Sequence, residues 1–264
     1  MAKSGKYRAI TESGRGVVIA DQQLLDFSVD EIRRLIAEYQ WLAFRNQNIN
    51  TDQATTFLEK FGTLTRNDRR QDAVLKLDGS KKDEVLLGQG FMPLHRDGAL
   101  MGNRIEMVGI FCVTLSNVKD GRTFITDIES ATARFPKDIV ELVRERGVEA
   151  RPVDKYYTSA ADVWHKIPGF IEVDGKSFLN VGFPYRPGEK ASWLVRIPGL
   201  SEEKSQEAFE VMRKIAMDEQ YCYYHEWHKP GDILLLDNMR TLHGREAYEG
   251  ERSLANIQVL AKSA

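Results

Sequence analysis

The distribution of helix and strand signals along the chain constrains its fold most. Helix signals dominate the N-terminal quarter, whereas short runs rich in β-branched and apolar residues dominate from about residue 85 onward. The predicted strands are 41–44, 105–115, 123–127, 178–183, 233–236 and 253–260. Because a sheet buries its apolar face against other elements, this pattern predicts a mainly β core with flanking helices, in the α+β class.

Four segments carry helix signals. The predicted helices are 29–40, 51–61, 137–146 and 201–218. The first is the best marked, because Ser28 and Glu31 form a capping box at its start. We interpret 201–218 as a helical insertion into the strand series, within a single domain that spans residues 1–264.

Composition narrows the range of partners. The net charge of −2 and the pI of about 6.3 argue against nucleic acid, whose phosphates favour a basic surface. No apolar run reaches the roughly 18–20 residues of a membrane helix, and the first residues lack the apolar region of a signal peptide. Cys112 and Cys222 stand outside any CxxC motif. These features predict a cytoplasmic protein with no disulfide framework and no thiolate metal site, and they leave the oligomeric state open.

The charged stretch 65–82 carries no clear periodicity. We interpret it as a mobile, solvated loop beside the core. A lid over a pocket is the alternative.

A histidine and an acid lie two residues apart at His95 and Asp97, and His243 follows the predicted strand 233–236. Residues two apart on an extended segment face the same side, so both side chains can point into one cavity. Two imidazoles and one carboxylate occupy one face of an iron ion and leave positions open for substrate and O2, as in non-haem Fe(II) oxygenases. The absence of a thiolate pair argues against structural zinc.

Two further residues suggest a site for a second carboxylate. Arg252 follows His243 at the start of a predicted strand, and a planar guanidinium is the preferred partner of a carboxylate. Thr123 offers a hydroxyl on another strand. With iron, these residues predict a keto-acid cosubstrate that chelates the metal. The alternatives are a surface ion pair of Arg252 with Glu249 or Glu251, and an ordinary strand threonine.

This ordered set resembles the taurine/2-oxoglutarate dioxygenase family over almost the whole chain. The segment QWLAFRNQNINTDQATTFLEKFGTL is similar to the opening strand and helix of that family. Within the family, carbapenem synthase and its clavaminate-synthase-like relatives look similar in LHRDGALMGN, GRTFITD, GEKASW and DILLLDNMRTLHGRE.

The resemblance implies a double-stranded β-helix, or jelly roll. It implies that His95, Asp97 and His243 bind Fe(II), and that Arg252 and Thr123 hold the side-chain carboxylate of 2-oxoglutarate. The implied reaction consumes O2 and oxidises an unactivated C–H bond, giving succinate and CO2. Hydroxylation is the expected outcome, and desaturation, cyclisation and epimerisation are the alternatives within the family. Related halogenases carry a small residue in place of Asp97, so halogenation is not expected.

The resemblance also suggests substrate-side residues. Arg245 is interpreted as a cation near the metal or the substrate, and Trp193 and Tyr185 as pocket aromatics, for which core packing is the alternative. Several relatives hold an acidic substrate with an arginine at the position of Asn256. Either the substrate lacks that anion, or another cation holds it. The candidates are Arg245, Arg104, Arg186 and the cluster Arg66, Arg69 and Arg70. The expected substrate is a small amino-acid-derived or natural-product intermediate.

Two functions from other classes remain open. A cupin-like protein could keep the fold and only bind or support other molecules. A zinc hydrolase could use the same three ligands, although the chain has no HExxH motif. The spacing of His225 and His228 is too common by itself to predict a second metal site.

Overall fold

The computed structural model of the protein describes residues 7–66, 72–80, 85–102, 104–153, 162–173 and 175–260. Strands dominate these residues, and five α-helices flank them. The helices are α1 (Val29–Tyr39), α2 (Thr51–Glu59), α3 (Ile128–Thr132), α4 (Lys137–Arg146) and α5 (Glu202–Ala216). The strands are β1 (Val17–Ile19), β2 (Trp41–Phe44), β3 (Val74–Asp78), β4 (Met92–His95), β5 (Ile105–Asp120), β6 (Thr123–Asp127), β7 (Val148–Pro152), β8 (His165–Ile167), β9 (Phe170–Val173), β10 (Lys176–Leu179), β11 (Trp193–Arg196), β12 (Cys222–His225), β13 (Ile233–Asp237), β14 (Thr241–Arg245) and β15 (Tyr248–Leu260). The mainly β prediction is therefore confirmed.

The larger sheet has six strands in the order β1-β2-β13-β5-β15-β3. Strand β13 is apolar on both faces because both faces are buried. Ile233 and Leu235 pack with the residues of α1 and α2, whereas Leu234 and Leu236 belong to a second cluster that includes Ile125 of β6. Successive side chains of β13 point to opposite faces of the sheet, and each face meets an apolar cluster. Every residue from 233 to 236 is therefore apolar.

The second sheet has four strands in the order β12-β6-β14-β4. Ile125 faces the cluster that also holds residues of the larger sheet, and Phe124 faces the opposite way, into a cluster with Phe209 and Met212 of α5. The helix α5 begins at Ser201, whose side chain accepts a hydrogen bond from the backbone N–H of Lys204. The two larger sheets therefore share an apolar layer and are covered by helices on their outer faces.

Most predicted elements are confirmed, although the strands predicted at 105–115 and 253–260 extend to Ile105–Asp120 and Tyr248–Leu260. Three other predictions are wrong in part. The helix predicted at 51–61 ends at Glu59, before the expected Gly62. The strand predicted at 178–183 ends at Leu179, and beyond it Gly182 forms only an isolated bridge with His95.

The third error concerns the stretch 65–82. Residues Val74–Asp78 form β3, which pairs with β15 at the edge of the larger sheet. Val74 packs with the cluster of α1 and α2, and this burial outweighs the high local charge. Residues 67–71 and 81–82 lie outside the described residues. The alternative interpretation of this stretch as a lid therefore stays a prediction.

Within the described residues, no helix has both the length and the apolar character needed to cross a membrane.

Candidate active site

Three potential metal ligands converge where β4 and β14 pair. His95 and His243 are direct partners in this antiparallel pair, and their ring centroids are 4.5 Å apart. Asp97 Oδ1 lies 3.3 Å from His95 Nε2 and 3.7 Å from His243 Nε2. One ligand atom from each residue lies within 4.8 Å of the others. The structure therefore brings together all three residues that the sequence predicted.

Asp97 lies in a turn and not on an extended strand, so that detail of the prediction is wrong. The side chain of Asn238 holds the turn. Its Oδ1 accepts from the backbone N–H of Asp97 at 3.0 Å, and its Nδ2 donates to the carbonyls of Asp97 and Ile105 at 3.0 and 2.9 Å. Asn238 lies in the DNMR segment that precedes His243. The sequence did not predict its contact with Asp97, because nothing in the spacing of the two residues indicates it.

The protonation states suit a divalent metal. Nδ1 of His95 lies 2.9 Å from the carbonyl of Pro93, so it carries the proton and leaves Nε2 as the ligand atom. Burial lowers the pKa of His243 to about 4, so its ring is neutral near pH 7. Burial opposes ionisation of Asp97, but the two histidines and a hydrogen bond from Asn256 hold its pKa below the ordinary range. Two imidazole nitrogens and an ionised carboxylate oxygen form a donor set that fits Fe(II).

The second oxygen of Asp97 is bound by two amides from β15. Asn256 Nδ2 donates to Asp97 Oδ2 at 3.2 Å, and Gln258 Nε2 donates to the same oxygen at 2.8 Å. The sequence did not predict Gln258, because its contact with Asp97 depends on how distant segments of the chain pack together. Asn256, considered as a substrate contact, instead contacts a potential metal ligand.

Arg252 is a buried cation with open donors. It is 2% exposed, its guanidinium carbon lies 3.9 Å from the centroid of the Tyr248 ring, and its Nη1 donates to the carbonyl of Gly121. Within the part of the chain that the structure describes, its Nε and Nη2 have no hydrogen-bond partner and it forms no ion pair with Glu249 or Glu251. Burial lowers the pKa of Arg252, but a guanidinium stays charged at neutral pH. Such a group fits the carboxylate of a bound acid.

Thr123 is buried, and its hydroxyl accepts a hydrogen bond from Trp227 Nε1 at 3.1 Å. Trp227 and Arg252 line one cavity of about 710 Å³. The tryptophan that binds the Thr123 hydroxyl thus lies beside the same cavity as Arg252. Trp227 also escaped prediction, since a tryptophan in a polar segment gives no sign of its partner.

Arg245 has a different environment from Arg252. Its Nη2 donates to the carbonyls of Val85 and Gly90 at 2.5 and 2.7 Å, and its Nε donates to Gly90 at 3.1 Å. Burial lowers the pKa of Arg245 to about 10, and the charge of Arg252 acts in the same direction. Arg245 thus ties residues 85–90, which lead into β4, to β14.

The two candidate aromatics lie beside the metal ligands and within the core. The centroid of the Trp193 ring lies 5.4 Å from that of His95, and the ring of Tyr185 lies 5.0 Å from Trp193. The indole N–H of Trp193 donates to the carbonyl of Phe183 at 3.0 Å. The two interpretations of these aromatics are therefore compatible, because Trp193 and Tyr185 pack in the core and also lie next to the candidate site.

The other arginines predicted as substrate contacts lie in different parts of the structure. Arg104 is exposed and lines a cavity of about 480 Å³ together with Arg96 and Lys166. Arg186 is exposed and pairs with Glu210 at 3.5 Å. Of the predicted arginine cluster, Arg66 is exposed, and Arg69 and Arg70 lie outside the described residues.

His225 and His228 do not form a second metal site within the described residues. His225 is fully buried, whereas the side chain of His228 is 60% exposed. The one group of three or more potential ligands found in those residues is His95, Asp97 and His243.

The fold and this donor set define an iron- and 2-oxoglutarate-dependent oxygenase. Residues 6–258 match the family model described as "Taurine catabolism dioxygenase TauD, TfdA family". The chain belongs to this family. Iron is the cofactor of the class, and 2-oxoglutarate and O2 are its cosubstrates.

Curated relatives share about a quarter of their residues with this chain. A tyrosine isonitrile desaturase of Erwinia amylovora is 25% identical over 239 residues, covering 87% of this chain and 79% of that protein. An (S)-phenoxypropionate/alpha-ketoglutarate-dioxygenase of Sphingobium herbicidovorans is 26% identical over 244 residues, covering 86% and 83%.

Solved structures agree with the fold. PvcB of Pseudomonas aeruginosa superposes with a TM-score of 0.73 at 19% identity, covering 99% of this chain and 94% of that chain. AAD-2, solved in complex with Mn(II) and N-oxalylglycine, superposes with a TM-score of 0.71 at 15% identity, covering 97% of each chain.

Proposed function

We propose that this protein hydroxylates an unactivated C–H bond of a small amino-acid-derived or natural-product substrate, with His95, Asp97 and His243 as the Fe(II) ligands. One oxygen atom of O2 enters the substrate and the other enters succinate, while 2-oxoglutarate loses CO2. The observation that carries the proposal is the convergence of the three ligand atoms within 4.8 Å. The buried Arg252, with two open nitrogen donors, supports it.

Iron held by these three ligands would supply the oxidising chemistry, and the protein residues position its partners. The carbonyl of Pro93 fixes the tautomer of His95. Arg252 binds the far carboxylate of 2-oxoglutarate. The hydroxyl of Thr123 accepts from Trp227 and so keeps its own proton free to donate to that carboxylate. Trp193 packs beside His95 and excludes water from that side of the site.

We further infer that the two larger sheets form a double-stranded β-helix, within one domain that holds α5 as an insertion. The shared apolar layer between the sheets supports this architecture. The small-molecule substrate and the cytoplasmic location stay predictions.

Arg104 is the substrate-side cation that the surroundings favour. Arg245 is committed to backbone carbonyls, and Arg186 pairs with Glu210 at the surface. Arg104 lines a cavity with Arg96 and Lys166, and none of the three candidate metal ligands lines that cavity. Arg104 therefore stays a candidate partner for an anionic group of the substrate.

Desaturation is the second candidate. Two curated relatives, from Erwinia amylovora and Pseudomonas aeruginosa, are named tyrosine isonitrile desaturases, at 25% and 26% identity. The same site serves both reactions, and the position of the substrate carbon chooses between them. Analysis of the product by mass separates a gain of one oxygen from a loss of two hydrogens.

The test is an anaerobic visible spectrum recorded on addition of Fe(II) and then of 2-oxoglutarate. A weak charge-transfer band that requires both is expected for the parent protein. Asp97→Ala should lose the band and turnover with an unchanged circular dichroism spectrum, whereas the matched control Asp138→Ala, at an exposed position of α4, should keep both. Undiminished turnover of Asp97→Ala would contradict the metal assignment. In the parent, small carboxylates that shift the band become substrate candidates.

A further inference from the structure

The two carboxylate oxygens of Asp97 have different surroundings. Oδ1 faces the Nε2 atoms of His95 and His243 at 3.3 and 3.7 Å. Oδ2 faces the other way and accepts from Asn256 Nδ2 at 3.2 Å and from Gln258 Nε2 at 2.8 Å. Because an ionised carboxylate can only accept hydrogen bonds, both amides must present their nitrogens to it. This requirement fixes the orientation of both amide groups.

The strand β15 sets the positions of these amides. Asn256 and Gln258 are two residues apart and so face the same side, while the fully buried Ile257 between them packs toward the helices. The backbone of Asn256 pairs with Ile110 on one side and with Leu75 on the other. An interior strand of a six-stranded sheet gives these side chains little freedom to move. The carboxylate of Asp97, in the turn that follows β4, is therefore held by a rigid partner.

We propose that Asn256 and Gln258 are positioning residues that occupy Oδ2 of Asp97 and present Oδ1 alone to the metal. The inference rests on the proposed function, since it takes Asp97 as an iron ligand. Groups that hydrogen-bond to a ligating carboxylate fix its orientation and the number of atoms it gives to the metal. A carboxylate bound through one oxygen leaves an additional coordination position open.

The inference also gives Asn256 a role that differs from substrate binding. In several family relatives an arginine at this position holds an acidic substrate. Here the side chain is committed to Asp97, and an arginine would compete with the metal for that carboxylate. An anionic group of the substrate is then held by a residue other than Asn256.

The test compares metal binding by Gln258→Met, Asn256→Leu and the double variant with that of the parent. Each substitution keeps approximate side-chain size and removes the amide donor. Anaerobic titration with Co(II), without 2-oxoglutarate, should give a Kd that is weaker by about 10–100-fold. The visible Co(II) spectrum should also change, because the freed carboxylate can bind through both oxygens. A residue that only supported the fold would not alter that spectrum at full occupancy.

The matched control is Gln47→Met, which removes a buried amide that binds backbone groups of Gln22, Leu24 and Arg45. It should lower the melting temperature without changing the Kd for Co(II) or the spectrum. Parental affinity and spectrum in both folded single variants, with binding lost in Asp97→Ala, would overturn this inference and leave the proposed function standing. Parental affinity in Asp97→Ala as well would overturn both.

Discussion

Two buried arginines on successive strands show how identical side chains acquire different roles. Arg245 and Arg252 flank Tyr248, with guanidinium carbons 5.7 and 3.9 Å from its ring centroid. Arg245 donates three hydrogen bonds to the backbone carbonyls of Val85 and Gly90 and leaves only Nη1 without a partner among the described residues, whereas Arg252 donates to one carbonyl and leaves Nε and Nη2 without partners there. A buried donor without a partner is costly, so open donors at a buried position favour a ligand that satisfies them.

Replacing Arg252 should therefore affect 2-oxoglutarate far more than replacing Arg245. Removing one partner of a buried charged pair costs about 2–5 kcal/mol, so Arg252→Gln should raise the KM for 2-oxoglutarate by at least about 30-fold. Arg245→Gln should chiefly lower the melting temperature, because two buried carbonyls lose their donor. Steady-state kinetics and thermal melts separate these effects. The reverse result, with the larger KM change in Arg245→Gln, would mean that the cosubstrate arginine is misassigned.

At the level of elements, the turn between β5 and β6 controls the direction of Arg252. Gly121 lies in this turn with φ of 77°, and its carbonyl accepts from Arg252 Nη1. A Cβ atom at this position would lie 2.6 Å from Tyr248 Cβ and 3.0 Å from Arg252 Nη1. The backbone conformation and the close approach both require glycine.

Gly121→Ala should consequently weaken 2-oxoglutarate binding as well as stability. The left-handed conformation alone costs an alanine about 1–2 kcal/mol, and the new methyl group displaces the guanidinium. The matched control is Gly14→Ala, where φ is 81° and no atom lies within 4 Å of the added Cβ. Both variants should melt at lower temperature, but only Gly121→Ala should raise the Kd for 2-oxoglutarate in calorimetric titrations. An equal Kd in the two variants would remove the turn from cosubstrate binding.

The elements also show which parts of the structure the sequence could predict. The strand predicted at 233–236 is confirmed to within one residue, because burial on both faces leaves an uninterrupted apolar run. The short strands β7, β8 and β9 escaped prediction, since each is half-buried and mixed in composition. The order of chemically distinctive residues allowed His95, Asp97 and His243 to be predicted as a set. Gln258, Asn238 and Trp227 escaped because their partners depend on how the two sheets pack.

At the scale of the whole molecule, the candidate site forms between the two larger sheets. The four-stranded sheet contributes His95, His243 and Thr123, and β15 of the six-stranded sheet contributes Arg252, Asn256 and Gln258. Neither sheet holds the complete set. Metal and cosubstrate binding are therefore coupled to the packing of the sheets and to folding.

The same packing buries a histidine outside the metal set. His225 is fully buried on β12, and its ring lies edge-on to Trp227 with centroids 4.6 Å apart. Neither ring nitrogen has a hydrogen-bond partner among the described residues. Burial, with the charges of Arg45 and His228, lowers its pKa from 6.5 to about 3. The folded protein thus keeps this ring neutral over a range in which the unfolded chain binds a proton.

His225 should make the protein lose stability as the pH falls from about 6.5 toward 3. In that window the unfolded state binds the additional proton, so the free energy of unfolding decreases by up to about 1.4 kcal/mol per pH unit, and the loss ends below the folded pKa. His225→Phe keeps an aromatic ring beside Trp227 but cannot be protonated. Urea unfolding at pH 7.5 and 5.0 should show a loss that is smaller in His225→Phe than in the parent by about 2 kcal/mol. His243 titrates in both proteins, so its contribution cancels in the comparison. An equal loss in His225→Phe and the parent would mean that water or another group satisfies the charged ring in the folded state.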